Sequence, residues 1–190
     1  INDNHRFNIR YSHTMNKTSE DASSSFSPLS NIYNRKQAGR VSQYAMGFES
    51  NRYFKERNFM SLAAELNSRF GNNVTNTFRV TWSHQNEPRS FVGGDFPTVD
   101  ILGEPLPSTA AEPRPKDVKT VLTSFGPDPF TYGNLVDVQT VVATDEVTIS
   151  KGINNITAGL QFEWNGIKNG FMQGGAGYYV YDSWEDFVQD

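Results

Sequence analysis

Met60–Asn86 reads MSLAAELNSRFGNNVTNTFRVTWSHQN. In its first half Met60, Leu62, Ala64, Leu66 and Phe70 share one parity, and Ser61, Glu65, Asn67 and Arg69 share the other. In its second half Phe78, Val80 and Trp82 alternate with Thr77, Arg79, Thr81 and Ser83. Successive side chains of a strand point to opposite sides, so each half predicts a strand with one apolar and one polar wall. Between them, Gly71 and its two asparagines tolerate the positive φ of a tight turn. The stretch therefore predicts a hairpin: strands near 58–70 and 75–86, joined by a short turn at 71–76.

Working outward, the same period of two recurs. In His5–His13, Phe7, Ile9 and Tyr11 alternate with Arg6, Asn8 and Arg10. In Leu135–Ser150, Val136, Val138 and Val142 hold one parity, and Val147 and Ile149 the other. A β-bulge near Thr144–Glu146 would account for that change of phase. After a turn at 151–155, Ile156, Ala158, Leu160, Phe162 and Trp164 alternate with Thr157, Gly159, Gln161 and Glu163, a strand near 155–165. Between the strands lie two long irregular stretches. Residues 14–51 are rich in Ser and Asn without a sustained period. Residues 87–132 carry eight of the nine prolines, which excludes a regular central sheet there. Within the second stretch FPTVDIL (96–102) and KTVLTSF (119–125) predict a small local hairpin. At the C-terminal end Tyr178–Tyr181 reads as a short extended piece, and Ser183 with Asp186 three residues on reads as a helix start.

The 190 residues include no cysteine, so a disulfide scaffold and a cysteine-ligated metal are excluded. The net charge of −4 is scattered along the chain, with no basic stripe for nucleic acid. No apolar run approaches the roughly 20 residues of a membrane helix. That leaves open a β-barrel, whose strands are only half apolar. The chain begins at Ile1 with neither an initiator methionine nor a signal peptide, and it reads as a fragment of a longer polypeptide.

Short turns and long loops alternate strictly along five strands. An outer-membrane barrel is built this way, with short periplasmic turns, long extracellular loops and strands of about 9–11 residues. The expected fold is thus all-β, an antiparallel up-and-down meander belonging to a transmembrane barrel. Tyr11, Phe70, Trp82 and Trp164 end the apolar faces, as an interfacial aromatic girdle does. A soluble β-sandwich remains the alternative from periodicity alone.

Several segments carry a family likeness: ELNSRF, TNTFRVTWS, FPTVDI, GPDPFTYGN, DEVTISKGINNITAGLQFEW and GYYVYDSWEDF. In this order they resemble the barrel region of TonB-dependent outer-membrane receptors. The likeness is nearest to the Oar-like receptors of Bacteroidetes-type bacteria, which carry a carboxypeptidase-regulatory-like domain. It covers nearly the whole chain and is weakest over 14–51. It implies one part of a barrel of about 22 strands with a plugged lumen, energised through the TonB complex, that takes up a large or scarce solute. No plug and no TonB-binding segment is recognisable in this chain. Partners expected on this basis are the outer-membrane bilayer, the TonB complex reached through other parts of the parent chain, and surface lipoproteins.

No enzymatic chemistry is expected. His5, His13 and His84 lack metal-ligand spacing. No nucleophile elbow is present, and Gly174–Gly177 lacks the context of a phosphate loop. Asp95, Asp100, Asp117 and Asp128 read as solvated loop acids rather than calcium ligands. No cofactor is expected. Arg6, Arg10, Glu65, Arg69, Arg79 and Glu163 lie on polar walls and are the candidate lumen-facing residues. Two other functions stay open: a soluble carbohydrate-binding module, and a receptor-like barrel that serves assembly or secretion.

Overall fold

The computed structural model describes residues 3–23, 40–41, 44–104 and 119–190. The chain is mostly β and divides into two compact units. One comprises Ile1–Asn16, Arg57–Glu87 and Val136–Asn169, the other Lys17–Glu56, Pro88–Leu135 and Gly170–Asp190.

The first unit is an antiparallel meander of five long strands: β1 (His5–Thr14), β5 (Asn58–Phe70), β6 (Val74–Phe91), β9 (Leu135–Lys151) and β10 (Asn154–Gly170). They lie side by side in chain order. Rows of paired residues cross the sheet. Phe7 lies opposite Leu66 and Leu66 opposite Phe78; Ile9, Ala64 and Val80 form the next row; Tyr11, Leu62 and Trp82 the next. The register continues onto β9, where the Ser150 amide donates to the Asn73 carbonyl at one end and Asn86 bonds Asp137 towards the other. These contacts set Val141 across from Trp82.

Between β9 and β10, Thr140 bonds Asn165 and Thr148 bonds Thr157. The two pairs are equally spaced on both strands, so no extra residue intervenes. The expected bulge near Thr144–Glu146 is therefore absent, and β9 runs unbroken through it. Val136, Val138 and Val142 lie on the polar side of the sheet, and Val141, Val147 and Ile149 on the apolar side. Adjacent valines at 141 and 142 place one valine on each wall, so parity alone does not reveal a strand that runs straight through.

Both tight turns, Gly71–Asn73 and Gly152–Ile153, close the same end of the meander. Gly71 and Gly152 take φ of 64° and 61°, the left-handed region that glycine enters without steric cost. β5 has the bounds that the alternation predicts, whereas β6 and β10 run about five residues further towards the loop end. β6 passes through Pro88 to Phe91, although proline argued against a regular strand there. Its position explains this. The β5 pairing ends at Asn58–Asn86 and the pairing with β4 (Tyr53–Glu56) begins at Lys55–Arg89, so Pro88 falls where one edge of β6 changes partner.

The second unit holds the buried apolar core: Val99, Ile101 and Leu102 of β7 (Thr98–Gly103) and Val121 of β8 (Thr120–Phe125). β7 and β8 pair antiparallel, the local hairpin expected for 96–102 and 119–125. β11 (Tyr178–Tyr181) adds parallel to β7, and β3 (Met46–Gly47) parallel to β8. The helix α1 (Trp184–Gln189) starts at Ser183, whose hydroxyl accepts from the Asp186 amide at 3.1 Å. The stretch 14–51, expected to be a loop, also contributes β2 (Lys17–Glu20) and a 3-10 turn (Glu49–Asn51). β2 pairs with β4 and is wholly polar, so no hydrophobic period announces it. The prolines at 28, 105, 107, 113 and 115 and Asp117 lie outside the described residues.

Candidate functional site

The meander presents two chemically distinct walls. On the polar wall Asn8, Glu65 and Arg79 share a row across three strands. Arg79 Nε donates to Glu65 Oε2 at 2.8 Å, and a second guanidinium nitrogen bonds the same oxygen. Asn67 donates to the other carboxylate oxygen at 2.7 Å and itself accepts from Thr77 at 2.9 Å. Charge-assisted bonds of this kind fix the geometry of a carboxylate. A cleft of about 630 Å³ opens beside the pair, lined by Asn8, Ile9, Arg10, Ala63, Glu65 and Arg79. Arg6 stands on the same wall, opposite Asn67.

Of the candidate lumen residues, the structure thus gathers Arg6, Arg10, Glu65 and Arg79. Arg69 stands on the same wall nearer the turn, where it lines a second cleft with Arg6 and Asn67 and its Nε donates to the Gly71 carbonyl at 3.1 Å. Glu163 accepts from Asn165 at 2.7 Å on its own strand and does not join Arg79.

Among the described residues the large side chains of the apolar wall are exposed. Ile9 is 65 % exposed and Leu160 77 %, and Phe7, Leu62, Phe78, Ile156 and Phe162 are exposed with them. Sheets normally bury an apolar face against a second layer. Tyr11 and Trp82 stand in one cross-strand row, and the Thr140–Asn165 bond places Trp164 across from Val141 in the same row. Phe70 closes the other end, beside the turn. Polar groups punctuate this wall near both ends. Towards the turn, His5 bonds Ser68 at 3.0 Å, and Asn76 bonds Asp145 at 2.5 Å. Towards the loops, Asp137 Oδ2 meets His84 Nε2 at 2.9 Å and Asn86 Nδ2 at 2.7 Å. From Asn76 to His84 the strand rises about 27 Å.

In the second unit a buried ionic cluster gathers residues far apart in sequence. Arg40 Nε meets Asp100 Oδ2 at 3.1 Å, and its NH1 lies 3.8 Å from Asp128 Oδ2. Arg40 also donates to the Tyr178 hydroxyl at 3.3 Å, which in turn bonds Asp100. Ser124 donates to the second Asp100 oxygen at 2.6 Å. The amides of Ser23 and Phe130 donate to Asp128. Both carboxylates and the guanidinium are almost wholly buried. Burial alone would lower the Arg40 pKa, but the neighbouring Asp100 and Tyr178 outweigh it and hold the value above that of a free arginine.

Asp100 and Asp128 are therefore buried partners of an arginine, contrary to their reading as solvated loop acids. Asp95 is exposed. Among the described residues no group of three or more His, Asp or Glu side chains is arranged to hold a metal. Arg40 was not singled out from sequence, because nothing beside it in the Ser- and Asn-rich stretch marks it as buried. Comparison of the chain with protein-family models, with curated proteins and with solved structures finds no match.

Proposed function

We propose that this chain is part of the barrel of a TonB-dependent outer-membrane receptor that takes up a large or scarce solute. One observation carries the reading: a five-stranded meander with a continuous, aromatic-edged apolar wall whose large side chains are exposed among the described residues. Lipid is the solvent that such a wall suits, and the opposite wall, with Arg10, Glu65 and Arg79, suits a water-filled lumen. Turns of two or three residues at one end agree with the periplasmic side of such a barrel. On this reading β1 and β10, which end the meander among the described residues, pair with further strands of a barrel of about 22. The long connections form the surface that meets solute or partner, and the protein's role is transport without covalent chemistry.

Fractionation of a Gram-negative host that expresses the full-length protein tests this. The expected result is recovery with the outer membrane and release only by detergent. Recovery in the soluble periplasm would overturn it and favour the soluble binding module.

A further inference from the structure

Aromatic rings of the second unit form one connected cluster. Phe48 and Phe96 lie 6.0 and 6.1 Å from Phe125, centroid to centroid. Phe125 meets Phe187 edge to face at 5.8 Å, and Phe187 meets Tyr181 at 5.2 Å and Trp184 at 5.6 Å. The outer members are half in solvent: Phe48 50 %, Phe96 50 % and Trp184 54 % exposed. Contiguous exposed rings of this kind mark an interaction surface. The steps from Phe48 through Phe125 and Phe187 to Trp184 together come to roughly 17 Å, so at most about five extended residues span the cluster.

Each exposed ring has an exposed acid as its chain neighbour. Glu49 follows Phe48, Asp95 precedes Phe96, and Glu185 and Asp186 follow Trp184. Acids in the first turn of a helix also complement its dipole, which accounts in part for Glu185 and Asp186. That role does not extend to Asp95, which lies in no helix.

We propose that this surface docks an extended polypeptide segment in which lysine or arginine alternates with apolar side chains. The apolar side chains cover the rings. The cations pair with the interleaved carboxylates and lie over the ring faces, which attract positive charge. An anionic segment or a phosphate headgroup meets the same carboxylates with like charge. The inference uses second-unit residues only and stands whether or not the meander spans a membrane.

The test uses the full-length protein in detergent micelles. The probe is a fluorescein-labelled Lys-Phe-Lys-Leu-Lys-Phe peptide, followed by anisotropy, with the Glu-Phe-Glu-Leu-Glu-Phe counterpart and maltohexaose as controls. The lysine peptide is expected to bind, and to weaken at least about tenfold in an Asp95→Asn/Glu185→Gln variant or in about 0.5 M salt. Both substitutions are at exposed positions and leave every ring in place. Three results would each overturn the proposal: equal binding of the two peptides, unchanged affinity in the variant, or no binding of the lysine peptide up to about 1 mM. Displacement of the lysine peptide by maltohexaose would also overturn it, in favour of a carbohydrate site.

Discussion

Arg40 shows what a single side chain does in this fold. Its guanidinium sits among Asp100, Asp128 and Tyr178 with 1 % of the side chain exposed. Taking one partner from a buried ion pair typically costs about 3–5 kcal/mol, because the remaining charge is left without compensation. Arg40→Met is therefore expected to strip hydrogen-exchange protection from Thr98–Gly103, the strand that carries Asp100. A second substitution, Asp100→Asn, should restore part of it. The raised Arg40 pKa means that its contribution is present at every pH below the ordinary arginine range and is lost only as pH rises beyond the raised value. Tyr181 behaves similarly at lower pH. Its hydroxyl donates to Asp190 at 2.8 Å, and this bond, then burial and the charges of Asp190 and Tyr179, raise its pKa above 10.0. The fold favours the protonated phenol, so this contribution is full below pH 10 and fades as pH climbs past the raised value. Titration of tyrosinate absorbance checks it: Tyr181→Phe should remove a phenol that ionises above pH 10, and Asp190→Asn should move that phenol downwards.

For the strands, the decisive property is which wall a residue faces. Ile9 and Asn8 are neighbours in β1 on opposite walls. An arginine facing lipid near the middle of a bilayer costs about 2–4 kcal/mol, whereas one facing a polar lumen costs little. In the full-length protein folded into lipid vesicles, Ile9→Arg is expected to lower stability by about that amount, and Asn8→Arg to change it by less than about 0.5 kcal/mol. Denaturant titration reads the difference, and equal costs would remove the case for lipid on the apolar wall.

The walls themselves were legible in sequence, because Leu62, Leu66, Phe78 and Trp82 alternate with residues that are polar apart from Ala63. β9 was harder to read. Valine occupies both its parities, and only its hydrogen-bonded neighbours decide which wall each one faces. β2 left no trace, since its stability comes from pairing and from ion pairs such as Lys17–Glu56 at 3.5 Å and Lys55–Glu20 at 3.4 Å. The buried cluster was illegible for a different reason. Arg40 stands 60 positions from Asp100 and 138 from Tyr178, and no local pattern encodes a meeting at that distance.

At the scale of the molecule, the meander has a direction. Asn73 lies in a tight turn at one end, and Glu87 lies at the far end of the same strand of the first unit. If the meander crosses the outer membrane with its turns inward, a membrane-impermeant maleimide applied to intact cells should label Glu87→Cys and spare Asn73→Cys. Permeabilised cells should label both. The reverse pattern would invert the orientation, and equal labelling of intact cells would argue that the sheet does not cross.

The two tight turns also set a timetable. β5 meets β6 across three residues, Gly71–Asn73, and β9 meets β10 across two. β1 reaches β5 only after the chain has closed a far longer excursion, from Met15 to Arg57. Closing that excursion costs on the order of 2 kcal/mol more in chain entropy than closing a turn. Local pairings therefore form first, and the meander is expected to assemble as two ready-made ribbons that zip together late. A slow phase in refolding would then report the joining of ribbons rather than the making of strands.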